Sequence, residues 1–282
     1  MNDIFINSVG QINADNAASD CYKMVWHDEF DTEKINSDNW LLRTDMRERP
    51  DMNLADESNP DVMKVSDSKL MLNAVKNEEG SKFPYTTCYS VTTYNRMHFK
   101  YGFLEMRAKV PYKHGSWPSL WMKSIPCDLY EIGKRECFAE VDIFEIFSSP
   151  DKTVPNIHKW YENGKHTQAM CKAPWIFRDR KNLNNEYHNY GFLWTEKEMS
   201  VYVDRVKYYT FDLTQSYDDD PDMKCFYDPM FIIINNHLFT PLSAWKPENA
   251  EVDETSEFPM EYWIDWIRLY QNDGPCELYL KK

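Results

Sequence analysis

The chain has 282 residues, enough for one domain with a sizeable core, and 42% of them are hydrophobic, an ordinary globular fraction. Its 46 acidic against 32 basic side chains give a formal net charge of −14, which disfavours nucleic acid as a partner, and no stretch reaches the roughly 20 apolar residues of a membrane span. Aromatic residues reach 15%, more than a core of this size needs, and point to exposed flat rings of the kind that stack on the C–H faces of sugars.

The chain reads as a single domain, 1–282, in which residues 1 to about 21 form a loosely held arm. No signal peptide is visible at Met1-Asn2-Asp3, so a leader was either removed or never present. Helical periodicity is scarce. Short period-two runs between Pro, Asn and Asp clusters predict strands over 69–74, 102–110, 139–147, 188–195, 199–203, 230–235 and 262–270, an all-β sandwich or barrel. The segments 43–60, 123–138, 148–185, 212–228 and 238–260 read as long loops; they carry Trp160, Tyr161, Trp175 and Trp245 and suit the walls of a substrate cleft. Arg43, Arg47 and Arg49 hint at an anionic or sulfated ligand, or else pair with Asp45, Glu48 and Asp51 beside them. Seven cysteines without C-x-x-C spacing indicate neither a zinc site nor a fully paired disulfide framework. Cys127 and Cys137 flank a short loop and are close enough in sequence to pair, the alternative being buried thiols.

The most informative segment is Ala139-Glu140-Val141-Asp142-Ile143-Phe144-Glu145-Ile146-Phe147. Glu140 and Asp142, two apart on a strand, share one face, whereas Glu145 falls on the other by simple parity. One extra residue near Ile143-Phe144, a β-bulge, restores it: Glu140, Asp142 and Glu145 then line one face while Val141, Ile143 and Ile146 enter the core. Three carboxylates on one face repel, so at least one is expected to hold a proton near neutrality, which is what a general acid requires. Retaining glycosidases need two carboxylates about 5–5.5 Å apart and inverting enzymes roughly 6.5–9.5 Å. A merely solvated acidic strand face is the plain alternative.

The neighbourhood of these acids resembles glycoside hydrolase family 16, the family of laminarinases, lichenases, agarases, carrageenases and related endo-β-galactosidases. The resemblance spans most of the chain in order. It begins with Trp26-His27-Asp28-Glu29-Phe30 and Asn39-Trp40, continues through Tyr101-Gly102-Phe103 to Val110-Pro111 and the run Gly115-Ser116-Trp117-Pro118-Ser119-Leu120-Trp121, and reaches Glu140, Asp142 and Glu145. His158-Lys159-Trp160, Tyr190-Gly191-Phe192-Leu193-Trp194, Val201-Tyr202-Val203-Asp204 and Ile264-Asp265-Trp266-Ile267-Arg268 follow.

The resemblance implies a concanavalin A-like jelly roll, a β-sandwich of two curved antiparallel sheets with a concave substrate cleft. It implies retaining, endo-acting cleavage of internal β-glycosidic bonds, with Glu140 as nucleophile, Glu145 as acid/base and Asp142 hydrogen-bonded to Glu140. Trp117 and Trp121 become candidate stacking platforms, His158 a cleft histidine, and Asn59, Arg107, Trp160 and Asn235 further substrate contacts. It also implies a structural Ca²⁺ between Glu29 and Asp265, for which a surface carboxylate or salt bridge is an equal alternative, and no cofactor for catalysis. The expected partner is a polysaccharide, with no nucleic acid; the chain would act as a monomer and be secreted, periplasmic or on the cell surface. Three segments depart from the laminarinase pattern: Tyr89-Ser90-Val91, Arg135-Glu136-Cys137-Phe138 and the run from Asn235 to Thr240. They make a β-galactan a serious rival to β-1,3-glucan. A non-catalytic, lectin-like jelly roll is the alternative from another class; it has use for the aromatics but none for a buried acid trio.

Overall fold

The computed structural model describes residues 3–13, 19–43, 51–124, 137–179, 181–217, 220–221, 223–243 and 245–281. Its strands are β1 (Ile4–Asn7), β2 (Ser19–Asp28), β3 (Leu41–Arg43), β4 (Met52–Ala55), β5 (Met63–Val65), β6 (Leu70–Lys76), β7 (Tyr85–Cys88), β8 (Ser90–Thr92), β9 (Met97–Lys100) and β10 (Gly102–Lys109). There follow β11 (Ser116–Lys123), β12 (Cys137–Glu145), β13 (Lys152–Tyr161), β14 (His166–Met170), β15 (Trp175–Ile176), β16 (His188–Trp194), β17 (Glu198–Val203), β18 (Val206–Asp212), β19 (Phe231–Leu238), β20 (Met260–Gln271) and β21 (Glu277–Leu280). Among the described residues no helix is long and apolar enough to cross a membrane.

Two large sheets face each other. One has eleven strands along β18-β17-β16-β10-β20-β6-β7-β4, with β1, β2 and β5 attached; the other has eight, along β14-β13-β12-β11-β19-β8-β3, with β15 beside β13. The pairing is antiparallel apart from β4 with β7, which is parallel, an exception to the expected pattern. The alternation that predicted strands is what closes the sandwich. On β20, Met260, Tyr262, Ile264, Ile267 and Leu269 are buried, and on β12 so are Ala139, Val141, Ile143 and Phe144. The sheets meet through rings such as Phe144, whose centroid lies 4.5 Å from that of Tyr190 and 6.4 Å from that of Tyr262. A polar tie crosses the same interior: Asn236 of β19, fully buried, donates from Nδ2 to the carbonyls of Leu72 at 2.8 Å and Met260 at 2.7 Å in the opposite sheet.

Two expectations are corrected. Segments 43–60 and 148–185 are not plain long loops: the first holds β4, and the second holds β13, β14 and β15, two of which extend the acid-bearing sheet beyond β12. The N-terminal segment is held rather than loose in its described part: β1 pairs with β2, and Ile4 and Ile6 pack with Tyr22, Phe103 and Tyr202 in a small core on the outside of the eleven-stranded sheet. Cys127, Arg47 and Arg49 lie outside the described residues. The glycine ahead of β11 has a specific task. Gly115 has φ +86°, and a Cβ there would stand 2.3 Å from Cγ1 of Val252, so only glycine lets the segment before β20 lie against the start of the Trp117 strand.

Replacing Asn236 by Ala is expected to lower the unfolding free energy by about 1–3 kcal/mol, because two buried carbonyls lose a donor and water does not reach them. Urea denaturation checks this; an unchanged midpoint and slope would remove the tie from the account of the fold.

Candidate active site

The acids stand on β12, and their common orientation is a register effect. Opposite β11, Trp121 pairs with Asp142 and Leu120 with Phe144, so Ile143 has no opposite number; opposite β13, the register also shifts between Asp142 and Glu145. That extra residue is the bulge the spacing demanded. Glu140, Asp142 and Glu145 consequently line one pocket of about 270 Å³ with Trp117, Trp121 and Asn235, while Val141, Ile143 and Ile146 are buried in the core.

Neighbouring strands supply the rest by period two. Trp117, Ser119, Trp121 and Lys123 alternate along β11, and Asn235 and His237 face the same pocket from β19. Trp117 Nε1 donates to Glu145 Oε1 at 2.8 Å, and Trp121 Nε1 donates to Asn235 Oδ1 at 2.7 Å. The Lys123 ammonium lies 3.6 Å from Glu140 Oε2, placing a positive charge beside it. From β13, His158, paired with Glu140 in register, places Nε2 at 2.9 Å from Asp142 Oδ2.

Burial sets the proton distribution. It raises Glu145 well above the usual carboxylate range, with the Asp142 and Glu140 charges adding and the Trp117 hydrogen bond opposing. Asp142 is likewise raised, by burial first and the Glu140 charge second, and burial lowers His158. In the arrangement these directions favour, a protonated Asp142 donates to Nε2 of a neutral His158. The His158 Nδ1–H then donates to Nε2 of His166, 2.9 Å away on β14. A chain of hydrogen bonds thus runs from the centre of the acid trio to an exposed imidazole, which lies face to face with Trp160 at 3.9 Å between centroids.

An aromatic ledge continues from the Glu145 end. Trp117 stacks on Phe239 at 4.6 Å between centroids and 8° between planes, and Trp245, 55% exposed, packs against Phe147 at 5.2 Å and Trp117 at 6.1 Å. Trp117 and Phe147 belong to the two motif segments, Phe239 to the run from Asn235 to Thr240, and Trp245 to a loop expected to wall the cleft.

The structure thus brings Glu140, Asp142, Glu145, Trp117, Trp121, His158 and Asn235 together, with Trp160 one step along β13. It separates others. Arg107 is on β10 in the eleven-stranded sheet, where it forms an ion pair with Asp265 and lies 4.8 Å from the ring of Tyr187. Asn59 belongs to a turn before β5, its Oδ1 accepting from the Asp61 amide, and lines a trough against β6 and β20, so it is no partner of the acids. Glu29 and Asp265 do not suit the expected Ca²⁺. Glu29 is held by a bidentate Arg268 at 2.8 and 2.7 Å, and Asp265 Oδ2 by Arg107, so guanidinium groups already take both Glu29 oxygens and one of Asp265.

Residues at the site that sequence reasoning passed over are Ser119, Lys123, His166 and His237. Ser119, Lys123 and His237 were accessible by extending the period of two from Trp117 and Asn235. His166 was signalled by Asn163-Gly164, a hairpin turn pair; the hairpin it closes sets Trp160 opposite His166 and His158 opposite Gln168.

The sequence model of glycosyl hydrolases family 16 matches residues 51–267. The chain is 23% identical over 270 residues to glucan endo-1,3-beta-glucosidase A1 of Niallia circulans, covering 88% of this chain and 38% of that protein. It is 25% identical over 269 residues to the keratan-sulfate endo-1,4-beta-galactosidase of Sphingobacterium multivorum, covering 92% and 58%. The chain therefore spans less than two thirds of the length of either. Its fold matches the laminarinase catalytic domain of Thermotoga maritima with a TM-score of 0.66 at 23% identity, over 89% of this chain and 98% of that one. With the family match extending over most of its length and the acid motif inside it, this chain belongs to glycosyl hydrolases family 16.

Proposed function

We propose that the chain is a retaining, endo-acting glycosidase that cleaves internal β-glycosidic bonds of a polysaccharide by double displacement. The observation that carries this reading is the bulge in β12, which sets Glu145, its carboxyl raised by burial, on the same face as Glu140 with Asp142 between them. Glu140 attacks the anomeric carbon while Glu145 delivers its proton to the departing glycosidic oxygen, so the C–O bond breaks as a glycosyl–enzyme ester forms. Glu145, now a carboxylate, takes a proton from water, which attacks the same carbon, frees Glu140 and leaves the original configuration. Asp142 stands between the two glutamates with its Oδ2 on His158 Nε2, where the sequence suggests a hydrogen bond to Glu140, and Lys123 offsets part of the charge at Glu140.

For the substrate, the relatives' names offer both β-1,3-glucan and keratan sulfate. Arg43 lines the acid pocket with its guanidinium 5.6 Å from the Trp121 ring. A cation there, in a chain of charge −14, favours a β-galactan bearing sulfate or carboxylate groups over a neutral glucan. Incubation with laminarin, agarose, porphyran and keratan sulfate, with product sizing and NMR of the first anomer released, tests the proposal. Binding without any product would favour a lectin-like module, and a first-formed inverted anomer would exclude double displacement.

The two glutamates should separate by role. Glu140→Gln is expected to lose about 10³-fold or more in kcat on every substrate. Glu145→Gln should lose as much on polysaccharide but retain most of its first-step rate on aryl glycosides, whose leaving groups need no proton. Equal losses on both substrate types would undo the assignment.

Trp117→Phe removes the hydrogen bond that favours the charged form of Glu145. The Glu145 carboxyl should then rise further, and the alkaline limb of the kcat/KM profile should move to higher pH; movement to lower pH would contradict the acid role.

Stability should follow the same proton. Because the Glu145 carboxyl is raised on folding, the stability it allows is complete below the unfolded carboxyl range and is lost as pH climbs toward the folded value. Glu145→Gln should therefore raise Tm at pH 7–8, with the gain shrinking toward pH 5. Calorimetry across that range provides the check.

A further inference from the structure

The face of the eleven-stranded sheet turned away from the core carries a second site of a different kind. On β6 and β20, Leu70, Leu72, Ala74, Met260, Tyr262 and Ile264 are buried in the interior, which leaves Met71, Asn73, Glu261 and Trp263 facing out. In register, Lys64, Met71, Trp263 and Lys109 form one rung across β5, β6, β20 and β10, and Asn73 and Glu261 form the next. Over these rungs lies an open trough of about 640 Å³, walled by Asn59 on one side and Phe258 on another.

Three features of the trough point to one ligand chemistry. The half-buried indole of Trp263 supplies its flat floor, flanked by the Lys64 and Lys109 ammonium groups at 6.0 and 5.9 Å from the ring centroid. Asn73 lines the trough at 4% exposure; its Nδ2 donates to the Asp61 carbonyl at 3.1 Å, while its Oδ1 is buried with no hydrogen-bond partner. A buried acceptor in that condition is uncommon; it is closed to solvent, and a turn of the Asn73 amide toward the trough would let a ligand hydroxyl satisfy it. The charges are balanced, Lys64, Lys76 and Lys109 against Asp61, Glu78 and Glu261, with Lys109 3.5 Å from Glu261, so a polyanion is not selected. A pyranose offers both an apolar C–H face for the indole and hydroxyls for the amides.

We propose that this trough is a second glycan-binding site, remote from the carboxylates, that takes uncharged pyranose units of a polysaccharide and keeps the chain on its substrate between cuts. The identity of that polysaccharide rests on the proposed function; the site itself does not. The trough and the acid pocket share no lining residue and belong to opposite sheets, so both can be filled at once. Two-point attachment then raises avidity without altering the cleft.

The test is native affinity electrophoresis of the full chain in gels containing laminarin, agarose or keratan sulfate, with Glu140→Gln in every sample so that the matrix survives. Retardation is expected in at least one matrix and should weaken about 3–10-fold in apparent affinity on adding Trp263→Ala. It should largely return with Trp263→Tyr, which keeps a ring, and persist in part when Trp117→Ala and Trp121→Ala cripple the cleft. Equal mobility of the Trp263→Ala and Trp263 proteins in all three matrices overturns the site, as does Trp263→Tyr failing to restore retardation. Hydrolysis by the unmutated chain with mobility insensitive to Trp263 discards the trough and leaves the glycosidase reading standing. Retardation that depends on Trp263 with no hydrolysis of any of the three does the reverse.

Discussion

One extra residue in β12 governs the chemistry available to this protein. A strand turns successive side chains to opposite faces, so without the bulge at Ile143 either Glu145 would point into the core or the apolar residues after it would point to solvent. With it, Phe144 remains against Tyr190 in the interior and Glu145 meets Trp117 outside. The bulge is stable because both sides gain. The core keeps Val141, Ile143, Phe144 and Ile146 without interruption, and the carboxylate beyond the kink finds an indole N–H where an unpaired buried oxygen would otherwise stand.

Crowding three carboxyl groups onto so small a patch is tolerable only if their charge is reduced. The site does so with protons and with cations. Burial holds Glu145 and Asp142 toward their neutral forms, and Lys123 sits beside Glu140. His158 closes the arrangement by placing Nε2 within hydrogen-bond distance of Asp142 Oδ2, and His166 meets its far nitrogen. Sugar cleavage needs one carboxylate to attack and one carboxylic acid to donate. In the proposed double displacement, the burial that raises the Glu145 carboxyl suits it to the second of these tasks.

The all-β class, most strands and the acid face were legible because a half-buried strand writes its orientation in every second residue. The bulge was legible too, since Glu140, Asp142 and Glu145 cannot share a face in any other way. What parity cannot say is which sheet a strand joins. Arg107 and Asp265 point outward from the eleven-stranded sheet and pair with each other; the bulge at Asp265, between the pairings of Arg107 with Trp266 and Ala108 with Ile264, has no mark in local spacing. Segment 148–185 failed for another reason. Its strands mix charged and aromatic residues with buried polar ones, Lys159 among them, whose ammonium is held by Asp220 at 3.2 Å, so the apolar alternation is broken where a buried ion pair replaces it.

The tryptophans show how one composition serves two surfaces. Trp26, Trp40 and Trp194 are buried and belong to the core. Trp117, Trp121 and Trp160 lie at intermediate exposure on the acid-bearing sheet, where their ring N–H groups or faces are tied to Glu145, Asn235 and His166, so they are pre-organised by polar partners and not merely exposed. Trp263 and Trp266 lie on the opposite sheet beside cations, Trp266 with Arg268 at 4.0 Å from its ring. A large ring left at a surface gains little from burial, and its partial exposure is sustained here by these contacts. On the acid side the rings are fixed in relation to carboxylates that can react. On the other they are fixed beside lysine, arginine and asparagine, so the chemistry set beside each ring follows from which sheet it was folded onto.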